Sequence, residues 1–244
     1  MALRSRASSH LTHSRDLVLI WYLGVSFVES TKTALEDVNV IQNWSRGGGA
    51  GAHKVPSRIA YAVDNPKLKL KKTHWGFEVD SSMKSYSWTK LLLDTSARPS
   101  DFDDPWLNSY IGAGCMSLPE GKSASDVVQD YLALLYKYVM DILEKTYTPD
   151  LVAITPIECW MSVPAIWSDA AKSATMRAAN QAGFGSRPGD DINMITEPEA
   201  AAITCLREQS DPGAFNVIKV SVAVRLHRAS IILNSLAWRE STYL

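Results

Sequence analysis

An α/β fold, a mixed sheet with helices packed on it, is the architecture this chain predicts, and three observations predict it. Residues 162–202, SVPAIWSDAAKSATMRAANQAGFGSRPGDDINMITEPEAAA, read in order as strand end, helix, strand and the start of a second helix. Upstream, Val127, Tyr131, Leu134, Leu135, Tyr138, Val139, Ile142 and Leu143 recur at helical spacing between Ser123 and Tyr147. Between these two blocks, Leu151 to Val163 predicts a strand, because Ile157, Cys159, Met161 and Val163 alternate. Strands and amphipathic helices in alternation bury their apolar faces against one another in layers.

Composition narrows the class. With 46% hydrophobic residues, 21% charged and a net charge of −1, the chain suits a soluble globular domain with a sizeable core and not a disordered one. Near-neutral charge gives no case for a nucleic-acid partner or an anionic membrane. Cys115, Cys159 and Cys205 are odd in number and widely spaced, which fits buried thiols in a reducing compartment better than a disulfide framework. His10 and His13 are neighbours without a cysteine or acidic partner at metal-ligand spacing, so no metal site is expected.

The elements follow in chain order. Met1 to Arg15 carries Arg4, Arg6 and Arg15 and no acid, and leads into the apolar run Leu17 to Phe27. That run is too short to span a bilayer. A buried first strand is the plainer reading and a targeting segment the alternative. The glycine-rich 46–54 stretch lacks the lysine and hydroxyl spacing of a phosphate loop and reads as a surface loop. The basic run Lys67 to Lys72 reads as an edge strand or hairpin tip with a solvated face, and Trp75 to Phe77 as a strand. Asp101, Asp103 and Asp104 beside Pro105 read as a turn.

Ser123, three residues before Asp126, supplies a capping signal for the long helix. Pro156 is awkward within a strand and marks a bulge or an edge. Ser168 is a good N-cap, Ala170 to Ala179 are mostly strong helix formers, and Gly183 stands where a C-cap glycine belongs. Asp191 to Thr196 predicts a short strand neighbouring Leu151–Val163, and Glu197-Pro198-Glu199 opens the next helix.

The ordered set VPAIWSD, AAxxAGF and ITEPEAAA resembles the nucleotide-binding domain of the heat-shock 70-kDa chaperone family, within the actin-like ATPase superfamily, and most closely its divergent fungal-type branch. The resemblance covers roughly residues 24–216. It implies one lobe of an actin-like ATPase (ribonuclease H-like) fold, flanked by atypical segments at 1–23 and 217–244. It implies ATP and Mg2+ as cofactors, client or co-chaperone proteins as partners, and a cytoplasmic location.

Residue by residue, the resemblance gives Lys90 the role of an active-site lysine reaching the γ-phosphate region. It gives Glu197 that of an acidic residue near the metal-bound water. Pro164 and Lys172 match positions that link nucleotide state to interdomain signalling. Plainer readings stand beside these: a helix-surface lysine for Lys90, and for Glu197 and Glu199 acidic residues favoured in a helix's first turn.

The two phosphate-binding turns of the family do not match. Asp16 to Leu23 reads DLVLIWYL where an aspartate, a glycine and threonines are expected, and Val217 to Leu244 contains no glycine. The expectation is therefore an incomplete ATP-binding domain, altered at both ends by splicing or gene-model error. It would bind ATP weakly or not at all and would not be catalytically competent. The alternative is a non-catalytic interaction module derived from the same fold. A sugar or acetate kinase of the superfamily is disfavoured by the VPAIWSD segment.

Overall fold

The computed structural model describes residues 24–32, 37–45, 52–94 and 117–200, together with the backbone of 17–21. Strand β1 (Leu17–Trp21) is followed by β2 (Ser26–Phe27), β3 (Asn39–Val40), β4 (Arg58–Ala60), β5 (His74–Trp75) and β6 (Tyr86–Ser87). Helix α1 (Ala124–Tyr147), the short α2 (Pro149–Ile154), strand β7 (Ile157–Val163), helix α3 (Asp169–Gln181) and strand β8 (Asp191–Thr196) complete the order. Helical backbone resumes at 197–200. The chain is thus α/β as expected, but its described strands form three small sheets where one mixed sheet was expected.

The parallel sheet has the order β1-β7-β8. The run at Leu17 is therefore a strand, paired in register with Ile157 to Met161. β7 lies between two parallel neighbours, and its alternating Ile157, Cys159, Met161 and Val163 are all at most 2% exposed. They enter one core with Leu132, Leu135, Val139 and Leu143 of α1 and Ala171, Ala178 and Ala179 of α3. The alanines have no side-chain bulk beyond Cβ, so α3 lies close to its neighbours.

Both long helices begin where the sequence places them. Ser123 and Asp126 form a reciprocal capping box: the Asp126 N–H donates to Ser123 Oγ at 3.2 Å and the Ser123 N–H to Asp126 Oδ2 at 2.8 Å. Ser168 Oγ accepts the Ala171 N–H at 3.3 Å.

Two expectations need correction. Leu151 does not start a strand. Thr148 turns the chain at a φ of 85°, Pro149 opens α2 through Ile154, and β7 begins only at Ile157. Pro156 forces Thr155 into extended backbone and so ends the helix before the strand starts; it marks neither a bulge nor an edge.

Arg187 stabilises this junction. Its guanidinium donates to the Val152 carbonyl at 2.8 Å and to both Asp190 oxygens at 3.0 Å, while Asp190 accepts the Ile157 N–H at 2.8 Å.

The basic run is not an edge strand either. Pro66–Leu68 form a turn of 3-10 helix ended by left-handed Lys69. The Asn65 side chain holds that turn by donating to the carbonyls of Tyr61 and Lys84, each at 2.9 Å. The run does lie in the link between antiparallel β4 and β5, and its Lys67, Lys69, Lys71 and Lys72 are exposed. The 46–51 loop, the Asp101 cluster, Cys115, Cys205, His10, His13 and everything from residue 201 onward lie outside the described residues.

Candidate functional site

Parallel strands bring their carboxyl ends to one edge of a sheet, where α/β folds collect ligand chemistry. Here the register pairs Val163 with Thr196. The next residues along each chain, Pro164 and Glu197, therefore leave the sheet side by side. Pro164 begins a turn closed by the Trp167 N–H on its carbonyl at 3.3 Å, and Trp167 is buried beneath it.

Glu197 stands at the first position of the helix after β8. The entrance to that helix is a second capping box. The Thr196 N–H and Oγ1–H donate to Glu199 Oε2 at 3.0 and 2.6 Å, and the Glu199 N–H returns to Thr196 Oγ1 at 3.4 Å. These hydrogen bonds, and secondarily Lys172, hold the Glu199 carboxyl below its ordinary range. Glu199 is thus a capping residue. Its neighbour Glu197 takes no part in the cap, and its Oε1 is buried without a hydrogen-bond partner among the described residues.

Lys90 approaches from a different part of the chain. β6 ends at Ser87, Trp88 turns through left-handed backbone at a φ of 58°, and residues Thr89–Leu93 form a 3-10 helix with Thr89 and Leu93 buried. Lys90 lies on this 3-10 helix and is half-buried. Burial pushes its amine down to about 8, with the Glu197 charge acting against that shift. Glu197 shows the reciprocal pattern: burial raises its carboxyl and Lys90 opposes the rise. The two charges are therefore near enough to act on one another, and each is desolvated more than the other compensates. Beside Lys90 lies a cavity of about 20 Å³ lined by Ser57, Arg58, Thr89, Val128 and Tyr131. That is room for a single water.

Lys172 sits at the margin, half-buried in the first turns of α3, with its Nζ 3.8 Å from Asp169 Oδ1 and its charge felt by Glu199. Of the four sequence-selected residues, Pro164 and Glu197 thus leave the sheet at the same end, Lys90 feels the Glu197 charge, and Lys172 acts on Glu199 nearby.

One contributor was not legible in the sequence. Asp94, 6% exposed, accepts the Ser168 N–H at 3.2 Å through one oxygen and the Ser168 Oγ–H at 3.0 Å through the other. Nothing in the LLLD run signals a partner 74 residues away. The Thr196–Glu199 box, by contrast, fits the T-x-x-E pattern and was readable.

Among the described residues no group of three or more His, Cys, Asp or Glu side chains is arranged to hold a metal ion, and no helix is long and apolar enough to cross a membrane. Cys159 is a buried thiol pushed up to about 12 by desolvation, which makes it chemically inert.

No protein-family model matches the chain, and no curated protein matches it significantly.

Proposed function

We propose that this chain is an ATP-binding domain of the heat-shock 70-kDa-like chaperone type, one lobe of an actin-like ATPase fold, that lacks both phosphate-binding turns and does not hydrolyse ATP at a useful rate. The observation that carries the reading is that Glu197, at the carboxyl end of the parallel sheet, and Lys90, more than a hundred residues away in sequence, are both desolvated and feel one another's charge. Glu197 Oε1, buried without a hydrogen-bond partner among the described residues, is open to a donor such as a water or a polar ligand.

The fit to magnesium–ATP is partial. When bound, the nucleotide supplies the phosphoryl group and a hydrated cation. Toward it Lys90 offers a positive charge and Glu197 an acceptor for one water. Asp16 to Leu23 contains no glycine with which to form the family's phosphate turn, and the cavity beside Lys90 holds about 20 Å³. Phosphoryl transfer depends almost wholly on positioning and charge stabilisation. With neither phosphate turn matched in the sequence, we derive no catalytic step through the nucleotide.

The unmatched phosphate turns favour the second reading, a non-catalytic interaction module in which the lobe survives as a scaffold for client or co-chaperone proteins. A cytoplasmic location belongs to either reading. Steady-state ATP turnover by the purified chain and by Glu197→Ala tests the proposal. Background-level turnover in both is expected. Measurable turnover abolished by Glu197→Ala would restore an active ATPase.

A further inference from the structure

We infer that Asp94 is a positioning residue: its hydrogen-bonded latch to Ser168 holds the Lys90-bearing segment against the sheet end and sets Lys90 opposite Glu197. The inference rests on the reading of Lys90 and Glu197 as one site, and it adds the element that assembles them.

The 3-10 helix Thr89–Leu93 is short and starts from the strained left-handed backbone of Trp88, so it does not place Lys90 by its own rigidity. Leu93 anchors it in the shared core on the α1 side. On the other side the tie is Asp94, which comes directly after Leu93 and spends both carboxylate oxygens on Ser168.

Ser168 is in turn fixed. It is the N-cap of α3 and its hydroxyl oxygen also accepts the Ala171 N–H. It lies four residues beyond Pro164, at the same end of the sheet as Glu197. Asp94 also meets the start of α3, where the helix dipole favours a negative charge. A buried carboxylate that accepts two donors from one residue allows little rotation, so Lys90, four positions upstream, inherits the alignment of α3. The latch thereby makes the Lys90–Glu197 distance depend on the turn that begins at Pro164.

Zero-length carbodiimide cross-linking of the full chain, without nucleotide, tests this. The reagent activates a carboxylate, a touching lysine amine displaces it, and an amide remains that mass spectrometry assigns to a residue pair. The Lys90–Glu197 yield is taken as a ratio to Lys122–Asp130, whose ion pair at 2.7 Å lies apart from the latch.

In Asp94→Asn and Ser168→Gly the ratio should fall by about tenfold or more, because losing a hydrogen bond to a charged group shifts a positional equilibrium by at least that factor. Ser168→Thr keeps the hydroxyl and should restore it. Glycine is tolerated at an N-cap, so Ser168→Gly remains decisive even if Asp94→Asn fails to fold. An unchanged ratio in the folded variants overturns the latch alone. No Lys90–Glu197 product in the unmodified chain overturns both the latch and the site it serves.

Discussion

Replacing Lys90 by methionine should stabilise the protein near neutral pH, although it removes a charge that favours the Glu197 carboxylate. The amine is held at about 8 against an ordinary value of 10.5, with burial the main cause and Glu197 only a partial offset. A shift of this size corresponds to roughly 3 kcal/mol of net destabilisation by the charged form, at about 1.4 kcal/mol per pKa unit. The folded-state pKa lies below the unfolded one, so between the two the unfolded chain binds more protons and stability rises with pH. The cost of the charge is fully present below about pH 8 and is relieved as pH rises to 10.5.

Methionine matches the length of the lysine stem and carries no charge. Lys90→Met should therefore gain up to roughly 3 kcal/mol at neutral pH and nothing above the unfolded lysine's pKa. Urea unfolding of both proteins across this pH range measures the difference directly. Equal stability at neutral pH, or a gain that persists unchanged at the alkaline end, would refute the assignment of Lys90 as a desolvated charge.

Arg187→Ala should destabilise by about 3–5 kcal/mol, because it strands the Asp190 carboxylate, 1% exposed, without its partner. A loss below about 1 kcal/mol in urea unfolding would show the Arg187 junction to be dispensable. Gly76→Ala should cost more than about 1 kcal/mol, since its φ is 57° and an added Cβ would stand 2.5 Å from Val55 Cγ2. An unchanged thermal midpoint would contradict that geometry.

Much of the fold was legible because its signals are local. The capping box at Ser123 and the apolar period behind it define α1, and the alternation at Ile157 to Val163 defines the core face of β7. The start of β7 was misread because apolar Leu151, Val152 and Ile154 suit a strand as well as a helix. What decided it was Pro149 ahead of them and Pro156 behind. The lysine run was misread for a similar reason: alternating leucines suggest a strand, and the Asn65 side chain's grip on two distant carbonyls overrides them.

At the site, Glu197 and Pro164 were readable from their place at strand ends. That Lys90 would be half-buried was not, since much of what surrounds it, Ser57 to Ile59 and Val128 and Tyr131 of α1, comes from distant parts of the chain. The Asp94 latch spans segments whose local patterns are independent, so no periodicity announces it.

The central claim, a nucleotide lobe without its phosphate cradle, is tested most directly by calorimetric titration of the purified chain with magnesium–ATP. The comparison is a version in which glycine-containing phosphate turns of the family replace Asp16–Leu23 and the segment after Asn216. The unmodified chain should give no heat of binding, or a dissociation constant no tighter than millimolar, and binding should tighten once the turns are supplied. Micromolar binding by the unmodified chain would contradict the claim.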